Sequence, residues 1–94
     1  MQFLRQNGIY HWRHNVGGIK RKGRLIKYGV TGQSDIMGIL NGGKFLAIET
    51  KVYPGEPTPA QADFLTFVNT IGGIGIVAYS VDDVKKRLQK EGFV

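Results

Sequence analysis

Gln33-Ser34-Asp35-Ile36-Met37-Gly38-Ile39-Leu40-Asn41-Gly42-Gly43-Lys44-Phe45-Leu46-Ala47-Ile48-Glu49-Thr50-Lys51 is the stretch on which the fold turns. One apolar run ends at Leu40, three turn-forming residues follow, and a second apolar run begins at Phe45, the pattern of a β-hairpin. With a loop of Asn41 to Gly43 and Gly43 in the left-handed conformation such loops prefer, Leu40 opposes Lys44 and Asp35 opposes Glu49. Directly opposed residues have Cβ atoms about 4.5–5.5 Å apart, close enough for two carboxylates to share one divalent cation. Lys51 falls on the same face, two residues on. A two-residue loop would shift the register by one and turn Asp35 away from Glu49, so the turn decides the reading.

Outward from the hairpin, the punctuation predicts the order α-β-β-β-α-β-α. Met1 to Asn7 reads as a helix closed by Gly8, and Ile9 to His14 as a strand. Gly17 to Arg24, with three glycines and the run Lys20-Arg21-Lys22, reads as a mobile basic loop without fixed shape. After the hairpin, Thr58 as N-cap, Pro59 at the first helical position and Gln61 three after the cap open a helix to about Ile71. Its apolar face is Phe64, Leu65, Phe67, Val68 and Ile71, with Gly72-Gly73 at its end. Ile74 to Tyr79 is continuously apolar, which predicts a buried, parallel, central strand reached by a crossover. Ser80 caps a last helix with Asp83 at N3, Val81, Val84 and Leu88 inward, and Gly92 past its end.

Ninety-four residues at 41% hydrophobic content suit one domain over residues 1–94, since two cores of half that size would not offset chain entropy. So thin a core predicts a site that leans on a partner subunit, hence self-association. Thirteen Lys and Arg against seven Asp and Glu give +6 and a pI near 9.8, a field that attracts polyanions. No segment has the ~20 apolar residues of a membrane span. No secretory signal opens the chain, so a soluble, cytoplasmic protein is expected. The absence of cysteine excludes disulfides, thiolate nucleophiles and Cys-ligated zinc.

Asp35, Glu49 and Lys51 are the groups that phosphodiester hydrolysis needs. Two hard anionic oxygens hold a cation that lowers the pKa of a bound water, and a lysine orients that water or stabilises the charged transition state. The Thr50 carbonyl is a further candidate ligand. The plainer reading makes Asp35 a turn cap and Glu49 with Lys51 a solvated edge pair. Against it, Glu49 follows Phe45-Leu46-Ala47-Ile48, where a charge is costly unless paired or bound to metal.

Gly32-Gln33-Ser34-Asp35-Ile36, Phe45-Leu46-Ala47-Ile48-Glu49-Thr50-Lys51 and Thr58-Pro59-Ala60-Gln61 together resemble the VRR-NUC domain, a branch of the PD-(D/E)XK nucleases. The resemblance extends from Trp12-Arg13-His14-Asn15 through Ile76-Val77-Ala78-Tyr79-Ser80. It implies a restriction-endonuclease-like α/β fold, an αβββαβ core with a mixed central sheet flanked by helices. It also implies Mg²⁺, with Mn²⁺ able to substitute, held by Asp35, Glu49 and the Thr50 carbonyl. Asp35, Glu49, Lys51 and Gln61 would be the catalytic set. Stand-alone small members, as in phages and bacteria, are similar to homodimeric Holliday junction resolvases. The expectation is therefore a structure-selective DNA endonuclease, acting on branched or four-way DNA in a bacterial cell or phage-infected host. In two places the chain departs from the family: Ser34 stands for the motif's proline, and the first helix offers Gln2 and Gln6 where members carry an acid. The second departure leaves open a non-catalytic nucleic-acid-binding module that has lost a metal ligand. A sequence-specific duplex cutter ranks below both, for want of a base-reading insert.

Gln61 completes a capping box whatever the protein does, and can also orient a water or phosphate. His11 and His14 are three apart on a strand, hence on opposite faces, which argues against a zinc pair. Arg13, His14, Lys20, Arg21, Lys22 and Arg24 are the expected DNA contacts. Tyr10 and Trp12 share a face and read as core or interface. Lys85, Lys86, Arg87 and Lys90 read as the solvated face of the last helix.

Overall fold

The computed structural model describes residues 1–14, 17–21, 24–28 and 35–94, with side chains in 1–14 and 35–94. The elements are α1 (Gln2–Gln6), β1 (Tyr10–Arg13), β2 (Gly17–Arg21), β3 (Arg24–Tyr28), β4 (Ile36–Leu40), β5 (Lys44–Thr50), α2 (Pro59–Thr70), β6 (Ile74–Ala78) and α3 (Val81–Lys90). The fold is α/β. A mixed four-stranded sheet runs β1-β4-β5-β6, antiparallel except for the parallel pair β5 and β6.

Asn41, Gly42 and Gly43 form the three-residue loop, with Gly42 at φ 84° and Gly43 at φ 77°, conformations that cost a Cβ-bearing residue strain. The loop sets Leu40 opposite Lys44, and the ladder continues to Ile36 opposite Ile48. Asp35 lies one residue outside the ladder; its carboxylate bonds to Thr50 and acts electrostatically on Glu49.

Even-numbered positions of the hairpin face α1 and α3. There Ile36, Leu40, Leu46 and Ile48 join Ile74, Ile76 and Ala78 against Leu4, Val84 and Leu88 in the main core. Each fully buried Val, Leu or Ile among them contributes about 1.5–3 kcal/mol. On the opposite face α2 lays Leu65 and Val68 on Ala47, flanked by Phe45, Phe64 and Val77. Thr58 and Gln61 form the full capping box that starts α2, and the Ser80 hydroxyl accepts from Asp83 N at the start of α3.

Four expectations are corrected. The basic segment Gly17 to Arg24 is not a shapeless loop: β2 and β3 pair antiparallel, Gly17 with Tyr28 through Arg21 with Arg24. Ile19, Leu25, Ile26 and Tyr28 supply strand formers between the cations, and the charge run masks them. Lys22, Asn15 and residues 29–34, Gly32, Gln33 and Ser34 among them, lie outside the described residues, as do the side chains of Lys20, Arg21 and Arg24. The strand β6 is parallel and buried but stands at a sheet edge, hydrophobic because α2 and α3 cover its two faces. On the helices, Phe67, Ile71 and Val81 are exposed, since α2 and α3 each meet the sheet along a stripe narrower than their apolar content. Finally, Tyr10 (72% exposed) and Trp12 (38%) are not core; their rings neighbour each other at 5.9 Å on the part of the sheet that α2 leaves uncovered.

An edge strand presents unpaired backbone groups, and here a side chain takes them. Asn69 of α2 accepts from Gly75 N at 2.9 Å and donates to Gly75 O at 3.1 Å, while Arg87 of α3 donates to Asn69 Oδ1 at 3.0 Å. A side chain at position 75 would crowd this clamp, since its Cβ would lie 2.8 Å from Leu65 O. Asn69→Ala is expected to cost about 1–3 kcal/mol, roughly 4–8 °C of melting temperature per kcal/mol in a domain of this size. Thermal denaturation followed by circular dichroism measures it, and an unchanged midpoint would show that the edge does not need the clamp.

Candidate active site

Three strands end at one corner of the sheet and bring the predicted residues together there. Lys51 follows β5, Asp35 precedes β4, and His14 follows β1. Glu49 lies inside β5 on the α2 face, 1% exposed, and is the buried charged residue of the described chain. Its Oε1 is 3.4 Å from Lys51 Nζ, whose side chain retains 21% exposure. The other oxygen, Oε2, is buried with no hydrogen-bond partner among the described residues. Such an orphan costs about 1–3 kcal/mol, more when the group is charged. Burial, and after it the Asp35 carboxylate, raises the pKa of Glu49 above the ordinary carboxylate value, while the Lys51 ammonium opposes the rise.

Asp35 is held by the residue between Glu49 and Lys51. Its Oδ2 accepts from Thr50 N at 3.1 Å and from Thr50 Oγ1 at 2.7 Å. Successive residues of a strand send their backbone groups to opposite sides. Lys51 N goes to Ala78 O on β6, so the N–H and C=O of Thr50 both face the β4 side, where Asp35 sits. The Thr50 carbonyl thus lies on the same side of β5 as Asp35. The sequence names Thr50 only for that carbonyl; its hydroxyl as the anchor of Asp35 depends on a contact across strands.

The remaining predicted residues are placed differently. Gln61 is committed to its cap: Oε1 accepts from Thr58 N at 2.8 Å and its own N–H donates to Thr58 Oγ1 at 3.2 Å, so the side-chain amide nitrogen is the part left for another partner. His14 stands opposite Asp35 by the β1–β4 register, and its N–H donates to Asp35 O at 2.7 Å. Its ring Nε2 is buried without a partner among the described residues. Arg13 points to the opposite face, with His11, toward α1.

No group of three His, Cys, Asp or Glu side chains gathers at one point among the described residues. The donor set is two carboxylates and one carbonyl, all hard oxygens. This fits Mg²⁺, which is bound through one or two carboxylates and keeps several waters, and the orphaned Glu49 Oε2 is the atom that such an ion would satisfy. No family model matches the chain, and no curated protein or solved structure matches it either.

A raised Glu49 pKa gives the folded state the extra proton between the unfolded and folded values. Stability contributed by Glu49 therefore falls as pH rises through that window, the slope having the sign of protons bound unfolded minus folded. Without divalent ions, Glu49→Gln is expected to be more stable than the parent at pH 7 by about 1 kcal/mol. Its stability should also lack the downward slope of the parent above the ordinary carboxylate range. Urea denaturation at several pH values reads both, and parallel curves would mean that Glu49 is not desolvated.

Proposed function

We propose that this chain is a metal-dependent DNA endonuclease of the VRR-NUC type, hydrolysing phosphodiester bonds in branched or four-way DNA as a homodimer. The observation that carries the reading is Glu49: a carboxylate inside an apolar sheet, one oxygen paired with Lys51 and the other unpartnered, next to Asp35. A charge so placed lowers stability, and an ion at Asp35, Glu49 and the Thr50 carbonyl would compensate it.

Mg²⁺ or Mn²⁺ bound there would polarise the phosphate and lower the pKa of a coordinated water. The chain's own groups do the rest. Thr50 fixes the rotamer of Asp35 through two hydrogen bonds, so the carboxylate is preorganised. Lys51 is held by Glu49 while still reaching solvent, which lets its ammonium orient the attacking water or meet charge that develops on phosphate oxygens. The Gln61 amide nitrogen, with its carbonyl oxygen locked in the cap, is a free donor, among the described residues, on a rigid helix start.

The second reading is a binding module without catalysis. It rests on α1, Gln2-Phe3-Leu4-Arg5-Gln6, which brings no acid to the corner where Asp35 and Glu49 stand.

Cleavage of a labelled four-way junction, a linear duplex and a single strand, each with Mg²⁺, Mn²⁺ or EDTA, separates the two. The nuclease reading expects metal-dependent cutting of the junction, a loss of roughly 100-fold or more in rate for Lys51→Ala, and junction binding that survives the substitution. Binding with no cutting under either metal would establish the module instead.

A further inference from the structure

The charge of this chain is unevenly distributed. Residues 1–34 hold seven Lys and Arg and no Asp or Glu, whereas residues 35–94 hold six against seven. All the excess positive charge therefore belongs to the first third, and two of its arginines meet at a concavity. Arg5 on α1 and Arg13 on β1 line a cavity of about 650 Å³ at the β1 edge of the sheet, together with Met1, His11, Trp12, Ile36 and Thr50. Among the described residues its lining contains no carboxylate.

Neither guanidinium has an acidic partner among the described residues. The ion pairs there use Lys51, Lys86 and Arg87, and no acid precedes Asp35 in the chain. Asp35 itself is taken up by Thr50. His11 shapes the wall: Nδ1 donates to Ile9 O at 2.9 Å, and Nε2 accepts from the Met1 amino group at 3.1 Å. Two forked donors that line one cavity offer an anion paired hydrogen-bond donors, and guanidinium geometry suits a tetrahedral oxyanion held in that way. Thr50 connects this cavity to the candidate active site, since it lines the one and anchors Asp35 in the other.

We propose that the cavity is a phosphate subsite, in which Arg5 and Arg13 together clamp one backbone phosphate of the same DNA strand that reaches Asp35 and Glu49. The inference rests on the nuclease reading of those two residues for the course of the strand. It assigns Arg5, which neither composition nor motif singles out, and it gives Arg13 a partner and a face.

The test is junction binding by fluorescence anisotropy in EDTA, so that nothing is cut, over a range of salt. It uses wild type, Arg5→Gln, Arg13→Gln, the double variant, and Lys85→Gln/Lys86→Gln as a control for general charge. Both arginines are exposed, so the variants should melt with the wild type. Each single variant is expected to weaken binding about 10-fold, the scale of a hydrogen bond to a charged group, and the control to change it far less. A shared phosphate makes the double variant lower the slope of log K against log salt by about 1, where two independent phosphate contacts would lower it by about 2. A drop near 2, or affinities within error of the control, overturns the clamp. Titration with inorganic phosphate, read by NMR at the Arg5, Arg13 and Thr50 signals, distinguishes the source of the anion. Shifts there combined with unchanged DNA affinity in the double variant would mean a site for free phosphate, and would overturn the proposal. Wild type that binds through the arginines but cuts nothing with metal sinks the nuclease reading and leaves the subsite. Metal-dependent cutting with an unchanged KM in the double variant does the reverse.

Discussion

The register of the β4–β5 hairpin governs both stability and chemistry in this chain. Because side chains alternate across a sheet, a slip of one residue would carry Leu46 and Ile48 out of the main core and turn Asp35 away from Glu49 at the same time. Gly42 and Gly43, both at positive φ, hold the loop that prevents the slip. The core therefore enforces the geometry of the site: no arrangement buries the apolar residues of β5 and leaves Glu49 elsewhere.

That coupling comes at the expense of stability. A carboxylate beside Ala47 and Ile48, under α2, is desolvated, and a second carboxylate stands next to it. Lys51 offsets only part of this, through one oxygen at 3.4 Å. The arrangement is a poor way to stabilise a small sheet and a good way to keep an anionic oxygen available. Small domains have little stability to spare, so the burial of Glu49 is a standing cost to this one.

The sheet's surfaces are also divided by role. At the β1 edge Arg5 and Arg13 line a cavity. On the α2 side the sheet carries Glu49 and Lys51, with the exposed Tyr10 and Trp12 further along β1. At the far edge Asn69, itself held by Arg87, takes up the backbone N–H and C=O of Gly75 in β6. Among the described residues no helix is long and apolar enough to cross a membrane.

The hairpin, its three-residue loop and the Thr58–Gln61 capping box were legible in the sequence because each is set by residues a few positions apart, through turn conformation or a side-chain-to-backbone bond. Asp35 opposite Glu49 follows from the same local rule. The β2–β3 ladder was hidden by composition: a run of cations broken by Gly23 separates the strand formers Ile19 and Leu25-Ile26, and such a run reads as a loop. Other features had no local signal at all. The pairing of β1 with β4, which sets His14 beside Asp35 and turns Arg13 to the face of Ile36, joins segments more than twenty residues apart. The edge position of β6 is invisible for a related reason: an apolar strand reads the same whether strands or helices cover it. The two hydrogen bonds from Thr50 to Asp35 likewise exist only once both strands are in place. By itself the sequence determined which residues could carry the chemistry and the local register that pairs them. The tertiary structure alone decided what surrounds them, because burial, the loss of a carboxylate's partner and the convergence of two arginines are properties of distance in space rather than of spacing along the chain.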